Sequence, residues 1–273
     1  MQNFSASPIR LAKDIWANRR LIATLSKRDV AGRYRGSFIG VFWSFLTPVL
    51  MLAVFTFVFG EIFQARWGAG ERTGMLDFSV ALFAGLLVFY FFSECISSAP
   101  SLIVENANYV KRVVFPLEIL AIVKLIAALF HLVAGYIILL LLMLASNWDF
   151  SPNALLTPLV MLPFFLMVLG LTWALSALGV FLRDITQLIS PVLTAAMFLS
   201  PVFYTLASVS EAYHWIYMLN PLTFPIEEVR AVMLYEQTPD WMGLLYYSLI
   251  CLAVAWGGFF LFQKTRKGFA DVL

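Results

Sequence analysis

Residues 125–148 read LIAALFHLVAGYIILLLLMLASNW, 24 residues without one Asp, Glu, Lys or Arg. A helix needs about 20 such residues to cross the hydrocarbon core of a bilayer. The apolar residues run on without alternating, which argues against a strand of a transmembrane barrel. Working outward, the same reading recurs along the chain. Residues 36–60 hold 25 uncharged positions, 150–182 hold 33, 185–210 hold 26 and 241–263 hold 23. Residues 79–100 hold a single charge, Glu94. Composition agrees: 62% of the 273 residues are apolar and 12% are charged. A soluble domain has about 45–50% and about 25% respectively. These values exclude a soluble enzyme, a nucleic-acid binder and a disordered chain. They predict an all-α integral membrane protein with six spans, at 36–60, 79–100, 117–146, 158–182, 185–206 and 241–263. Cys95 and Cys251 lie in apolar stretches and match neither a metal motif nor a disulfide framework.

Basic residues in short loops orient a multispan protein, because they stay on the cytoplasmic side. With six spans, both termini share one side. All of the 18 basic residues except Arg66, Arg72 and Arg230 fall there. The opposite side holds nine of the 16 acidic residues, among them Glu211, Glu227, Glu228, Glu236 and Asp240. Both termini are therefore expected in the cytoplasm. Residues 1–35 are basic but lack the central apolar run and cleavage site of a signal peptide. Leu11, Ile15, Ile22 and Leu25 recur at helical spacing, with Trp16 beside them. The spacing predicts an amphipathic helix over 8–33, lying along the membrane surface.

Two further segments lie outside the spans. Residues 207–240 continue an aromatic stretch that Pro201, Pro221 and Pro225 interrupt. A re-entrant hairpin on the outer side fits both facts, since irregular backbone at membrane depth needs protein or a water-filled cavity against it. In 101–116, Ile103, Ala107, Val110 and Val114 share one helical face, and Glu105, Asn108 and Arg112 another. This predicts a short cytoplasmic helix parallel to the membrane that serves as a docking element. Arg183 and Asp184 form the next inner turn, with Asp184 placed to cap the helix that follows.

No catalytic constellation emerges. His131 stands alone among apolar residues, as a lone histidine in a core does, and His214 lies outside among aromatics. Glu94, near the inner end of its span, calls for snorkelling or a basic partner, with Lys124 as candidate. The stretch 258–265 nears a phosphate loop but has Gln263 where its second glycine belongs. The cytoplasmic segments are too short for a nucleotide-binding domain, so no cofactor is expected on this chain. ATP and magnesium would belong to a partner. The 44 Phe, Trp and Tyr residues include Phe38, Phe42 and Phe45 on the first span and Tyr90 on the second. Such rings anchor spans at interfaces, and they also stack on sugars.

Arg28–Asp29, Arg33–Tyr34–Arg35, Ser37, Gly40, Trp43 and Pro48 together resemble the approach to the first span in ABC-2 type permeases, more narrowly the exporters of O-antigen, capsule and teichoic acid. Lys111–Arg112 with Phe115–Pro116–Leu117–Glu118 is similar to their cytoplasmic coupling loop. Arg183–Asp184–Ile185 is similar to their second inner loop. Ser200–Pro201–Val202–Phe203–Tyr204, Asn220–Pro221 and Arg230 are similar to their outer re-entrant region. The likeness runs from residue 28 to 230. It implies one ABC-2 transmembrane domain over 1–273 that forms a homodimeric channel in the bacterial cytoplasmic membrane. Two copies of a separate ATP-binding cassette subunit would dock at Asn106, Asn108, Tyr109, Lys111 and Arg112. The cargo would be a glycan on a polyprenyl diphosphate lipid, most like O-antigen. Arg28, Arg33 and Arg35 would draw in the diphosphate, or equally anionic lipid headgroups. Phe38, Phe42, Phe45, Tyr90, Phe203 and Tyr204 would line the channel. Two other readings stand beside it. A membrane-embedded enzyme on lipid-linked sugars would use Glu227, Glu228, Glu236 and Asp240. An ion-coupled transporter would need charges deep in the spans, where only Glu94 and Lys124 are on offer.

Overall fold

The computed structural model describes residues 7–63, 75–110, 115–146, 148 and 151–273. Every regular element among them is helical. Helices α1 (Pro8–Ala17) and α2 (Arg19–Arg33) precede α3 (Trp43–Phe55), which π-helical turns over Thr56–Ile62 prolong. After α4 (Met75–Ser98) come two single turns, α5 (Leu102–Glu105) and α6 (Ala107–Val110). Three longer helices follow: α7 (Ile119–Ala145), α8 (Thr157–Phe181) and α9 (Ile185–Phe198). Two short ones, α10 (His214–Leu219) and α11 (Thr223–Met233), lead to α12 (Trp241–Thr265) and α13 (Phe269–Val272).

Among the described residues, five helical stretches are long and apolar enough to cross a membrane: Gly40–Ile62, Leu76–Ser98, Ile119–Ala145, Pro152–Phe181 and Trp241–Val272. The expected fifth span, 185–206, is shorter than the sequence suggests. Its helix stops at Phe198 after 14 residues, a rise of about 21 Å. Pro201 offers no N–H and disfavours helix in the residue before it, so the helix cannot run on through Ser200, and the chain turns from Leu199. The surface helix expected over 8–33 is two helices. Asn18 breaks it and donates its side-chain amide to the Asp14 carbonyl at 2.8 Å. The docking helix expected over 101–116 is likewise two turns, α5 and α6, followed by the undescribed 111–114. Asp184 precedes α9 as expected, but its side chain makes no capping bond.

Helix α4 is the centre of the bundle. It is apolar all round, as a helix must be when every side is packed. Leu82, Phe83 and Leu86 have no exposed surface, and α7, α8, α9 and α11 all pack on it. Helix α3 is the opposite case, with Val49, Leu50, Met51 and Val54 exposed, and Phe57 in the turns that prolong it is exposed too. A second cluster closes the α2 end of the bundle. Ile22 and Leu25 of α2 meet Leu102 and Ile103 of α5, Val123 of α7, Trp173 of α8 and Phe262 of α12.

Helices α8 and α12 lie closest together, at a pair of glycines. A Cβ on Gly170 would meet backbone atoms of Val254 and Ala255, and one on Gly258 would meet the Gly170 carbonyl. Small residues let backbones approach this far, and the gain is dispersion contact along both helices. Gly257 faces open space.

At the far end one side chain joins three segments. Arg230 of α11 is 1% exposed. Its Nε donates to the Ala81 carbonyl at 3.0 Å and its Nη2 to the Val202 carbonyl at 2.9 Å. Its Nη1 donates to the Pro201 carbonyl and to Glu227 Oε1, the latter at 3.2 Å. The carbonyls of the non-helical residues just after α9 are thus satisfied, while Tyr204 and Asn220 donate to those of Phe198 and Leu199. Burial lowers the guanidinium to about 10, still charged at neutral pH, while burial pushes the Glu227 carboxyl up against the pull of Arg230. Gly85 on α4 leaves the room, since a Cβ there would strike the guanidinium.

Two substitutions test this packing by thermal unfolding of detergent-solubilised protein. Gly258→Val is expected to cost about 2–3 kcal/mol by overpacking, whereas Gly257→Val stays within about 0.5 kcal/mol. Arg230→Met leaves buried carbonyls and Glu227 without their donor and is expected to cost about 3–5 kcal/mol. An unchanged melting temperature for Arg230→Met would remove it from the structural core.

Candidate functional site

A cavity of about 630 Å³ lies between α3, α4 and α7, closed on one side by the end of α2. Three helical faces build it. Trp43, Ser44, Thr47, Pro48, Met51 and Phe55 come from α3, Leu87, Tyr90, Phe91 and Glu94 from α4, and Ala128, His131 and Leu132 from α7, with Met197 of α9 completing the lining. Each set recurs at three- and four-residue spacing, the mark of one face of a helix. The wall is mostly apolar, with its charged groups at the α2 end. The link from α2 to α3 turns there through Gly36 at φ 85° and Gly40 at φ 59°, a backbone region that favours glycine. The turn brings Arg33 and Tyr34 to the mouth.

Four polar side chains meet at that mouth. Arg33 Nη2 lies 2.8 Å from Glu94 Oε1. His131 Nδ1 lies 2.9 Å from both Glu94 oxygens, and His131 Nε2 lies 2.9 Å from the Tyr34 hydroxyl. A neutral imidazole satisfies all of these contacts. Nδ1–H donates to the carboxylate, and Nε2 accepts the Tyr34 proton. Arg33 Nη1, 3.4 Å from Nδ1, is then a neighbour and not its donor. The basic partner of Glu94 is therefore Arg33, and not Lys124 as its place near the inner end of the spans suggests. Lys124 is engaged by Asp29 of α2 at 3.0 Å. His131 is a bonded polar group, as a lone histidine on an apolar face should be.

The residues expected to draw in an anionic headgroup separate. Only Arg33 lines the cavity. Arg28 donates to the Tyr109 hydroxyl at 3.1 Å, and Arg35 is exposed. In the docking element, Asn106 donates to the Leu102 carbonyl at 2.8 Å and holds the turn between α5 and α6. Tyr109 stacks on Phe115 with centroids 4.3 Å apart, and Asn108 is exposed. Lys111 and Arg112 lie outside the described residues. Arg266 at the end of α12 pairs with Glu118 at 2.6 Å, which ties α12 to the start of α7.

The aromatics expected along a channel also fall in three places. Tyr90 lines the cavity. Phe38 and Phe42 are exposed before and at the start of α3, with Phe45 6.3 Å from Phe42. Phe203 is buried at the α11 end and stacks on Phe59 at 4.4 Å. Tyr204 bonds the Tyr217 hydroxyl at 3.0 Å. The carboxylates of the alternative enzyme reading mostly hold structure. Glu227 meets Arg230, Glu228 accepts the Asp240 N–H at 3.2 Å, and Asp240 caps α12 through the Gly243 N–H at 3.0 Å.

Sequence reading missed Tyr34, Trp43 and His131 as parts of one site. The available signal was that Glu94 and His131 are lone polar groups in separate spans, and each needs a partner there.

Comparison with known proteins places the chain. Residues 20–234 match the ABC-2 type transporter family. The O-antigen export system permease protein RfbA of Myxococcus xanthus is 28% identical over 265 residues, covering 96% of this chain and 99% of that protein. A protein of the same name from Klebsiella pneumoniae is 22% identical over 255 residues, covering 93% and 95%. With most of its length inside the family match and five apolar helices long enough to span, this multi-pass membrane chain belongs to the ABC-2 type transporter family.

Proposed function

We propose that this chain is the transmembrane subunit of an ATP-driven exporter that moves a polyprenyl-diphosphate-linked, O-antigen-like polysaccharide across the bacterial cytoplasmic membrane. One observation carries the reading. An apolar cavity with an arginine at its mouth lies in a chain that aligns almost end to end with permeases named for O-antigen export. In this reading the chain crosses the membrane six times, with both termini in the cytoplasm. The short α9 completes its passage through the non-helical residues that Arg230 holds. Two copies form the channel, and the exposed face of α3 suits a second copy or lipid. Residues 207–240 form the outer re-entrant region. The chain itself is not an enzyme; ATP and magnesium sit on two copies of a separate ATP-binding cassette subunit. That subunit presses on Asn106, Asn108, Tyr109, Lys111 and Arg112. Through Tyr109 and Arg28 its movement reaches α2, and through Arg33 it reaches the cavity. Phe38, Phe42, Phe45, Tyr90, Phe203 and Tyr204 offer ring faces to the glycan on its way.

Two experiments test the reading. Tagged chain co-expressed with the ATPase encoded beside it is expected to purify as a complex that hydrolyses ATP, while the chain alone hydrolyses none. Lys111→Glu with Arg112→Glu is expected to lower the captured ATPase about tenfold. Recovery of the chain without any ATPase overturns the proposal. In cells, Glu228→Gln, Glu236→Gln and Asp240→Asn are each expected to keep more than half of glycan export. An embedded enzyme using these groups as acid and base would lose about a hundredfold or more.

A further inference from the structure

The Arg33–Glu94 pair sits at the boundary between a charged mouth and an apolar cavity, and its two partners are held very differently. The Glu94 side chain is 19% exposed and that of His131 15%, each on a long packed helix. The Arg33 side chain is 49% exposed, at the last residue of α2. Glu94 also has two sources of donors. His131 Nδ1 reaches both of its oxygens at 2.9 Å, so the carboxylate stays bonded if the arginine leaves. Tyr34, at 2.9 Å from His131 Nε2, keeps the imidazole turned toward Glu94. Arg33 has no such second anion among the described residues. Asp29, one turn earlier on α2, is taken by Lys124 at 3.0 Å.

A half-exposed ion pair is weak, because water screens it and long side chains lose freedom in forming it. A guanidinium binds a phosphate through two parallel N–H groups, which a carboxylate shared with an imidazole cannot match. Below the mouth, Trp43, Met51, Phe55, Phe91 and Leu132 offer a flexible apolar slot to a linear hydrocarbon chain.

We infer that Glu94 is the built-in competitor of a headgroup site: an amphiphile with a phosphate headgroup and a single apolar tail takes Arg33 from Glu94, while His131 and Tyr34 hold the released carboxylate. This rests on the lipid-linked cargo proposed above and adds how the site is kept closed when empty. Glu94 occupies Arg33 against weak anions, and only a ligand that both bonds the guanidinium and fills the slot displaces it. His131 and Tyr34 are positioning residues here, and Arg33 is the contact.

The test uses the full chain in phosphatidylcholine nanodiscs and the saturable binding of radiolabelled farnesyl diphosphate. Inorganic diphosphate supplies the head alone, farnesol the tail alone, and phosphatidylglycerol in the disc a bulk anionic lipid. Farnesyl diphosphate is expected to bind at least tenfold more tightly than either half, without displacement by phosphatidylglycerol. Glu94→Gln removes the competitor and is expected to tighten binding about tenfold. Arg33→Gln is expected to weaken it more than tenfold. The double variant Arg33→Gln/Glu94→Gln leaves neither partner charge uncompensated, so it replaces a single variant that fails to fold, and is expected to bind as weakly as Arg33→Gln alone. Weaker binding in Glu94→Gln would mean that the carboxylate aims the arginine, and would overturn the inference. So would equal affinity in all variants, or displacement by phosphatidylglycerol. The same wild-type preparation is tested for capture of the ATPase subunit. Capture with no tightening in Glu94→Gln sinks this inference alone; no capture and no binding of farnesyl diphosphate sinks the functional reading with it.

Discussion

A backbone that leaves its helix inside packed protein must find other donors for its buried carbonyls, and after α9 Arg230 supplies two of them. One guanidinium answers the carbonyls of Ala81, Pro201 and Val202 and the carboxylate of Glu227. Those contacts join the start of α4, the broken end of α9 and the middle of α11. The carbonyls of Phe198 and Leu199 at the helix end are met by Tyr204 and Asn220, so Arg230 serves the irregular residues that follow and ties them to α4 and α11. Only an arginine can do this, because its donors point in several directions from one planar group and it stays charged when buried. The missing Cβ of Gly85 is the second half of the device, since it lets the guanidinium reach the helix surface.

The α2 end relies on ion pairs where the α11 end relies on a single buried cation. Asp29 with Lys124, Arg33 with Glu94, and Glu118 with Arg266 each join elements far apart in sequence. Two of the three belong to α2, whose apolar face contributes Ile22 and Leu25 to the buried cluster, with Leu21 half-buried against it. This helix therefore owes much of its position to charge, and charge can be exchanged for another charge at little cost when the groups are partly solvated. Packing of the α8–α12 kind cannot be exchanged that way, because glycine backbones in contact have no alternative partner. The structure thus divides into a tightly packed pair of helices and an N-terminal helix, α2, held in part by replaceable contacts.

What could be read from the sequence follows the same division. The spans were legible wherever burial or lipid forces a continuous apolar run, as in residues 125–148, which fall within α7 except at their last residues. The helical character of 8–33 was legible from the stripe of Leu11, Ile15, Ile22 and Leu25, but its break at Asn18 was not. A single amide bonding back to Asp14 leaves no mark on an apolar period. The early end of α9 was hidden because an uncharged run does not distinguish helix from irregular backbone, and Pro201 alone does not say which carbonyls are rescued. Glu94 was recognised as needing a partner, yet depth along the spans pointed to Lys124. Partner choice depends on how α2 lies across α4 and α7, and sequence spacing holds no record of that crossing. Arg230 was placed on the outer side by topology and matched to a family block, but its burial depends on Gly85, 145 positions away and unremarkable in sequence.

The cavity is where these two kinds of constraint meet. Its walls on α4 and α7 are held by dense packing, so their faces keep a fixed geometry. The wall on α3 is backed by exposed apolar residues, and the mouth is set by the glycine turn and by Arg33. The chamber thus has two walls packed into the bundle and a partly solvated ion pair at its mouth. The energy of freeing Arg33 is then the difference between one partly solvated ion pair and its replacement, a small quantity that ligand binding can supply. With the weakest contact at the mouth and the tightest packing at α8–α12 and Arg230, exchange of Arg33 between Glu94 and a ligand, as inferred above, would leave the core of the fold in place.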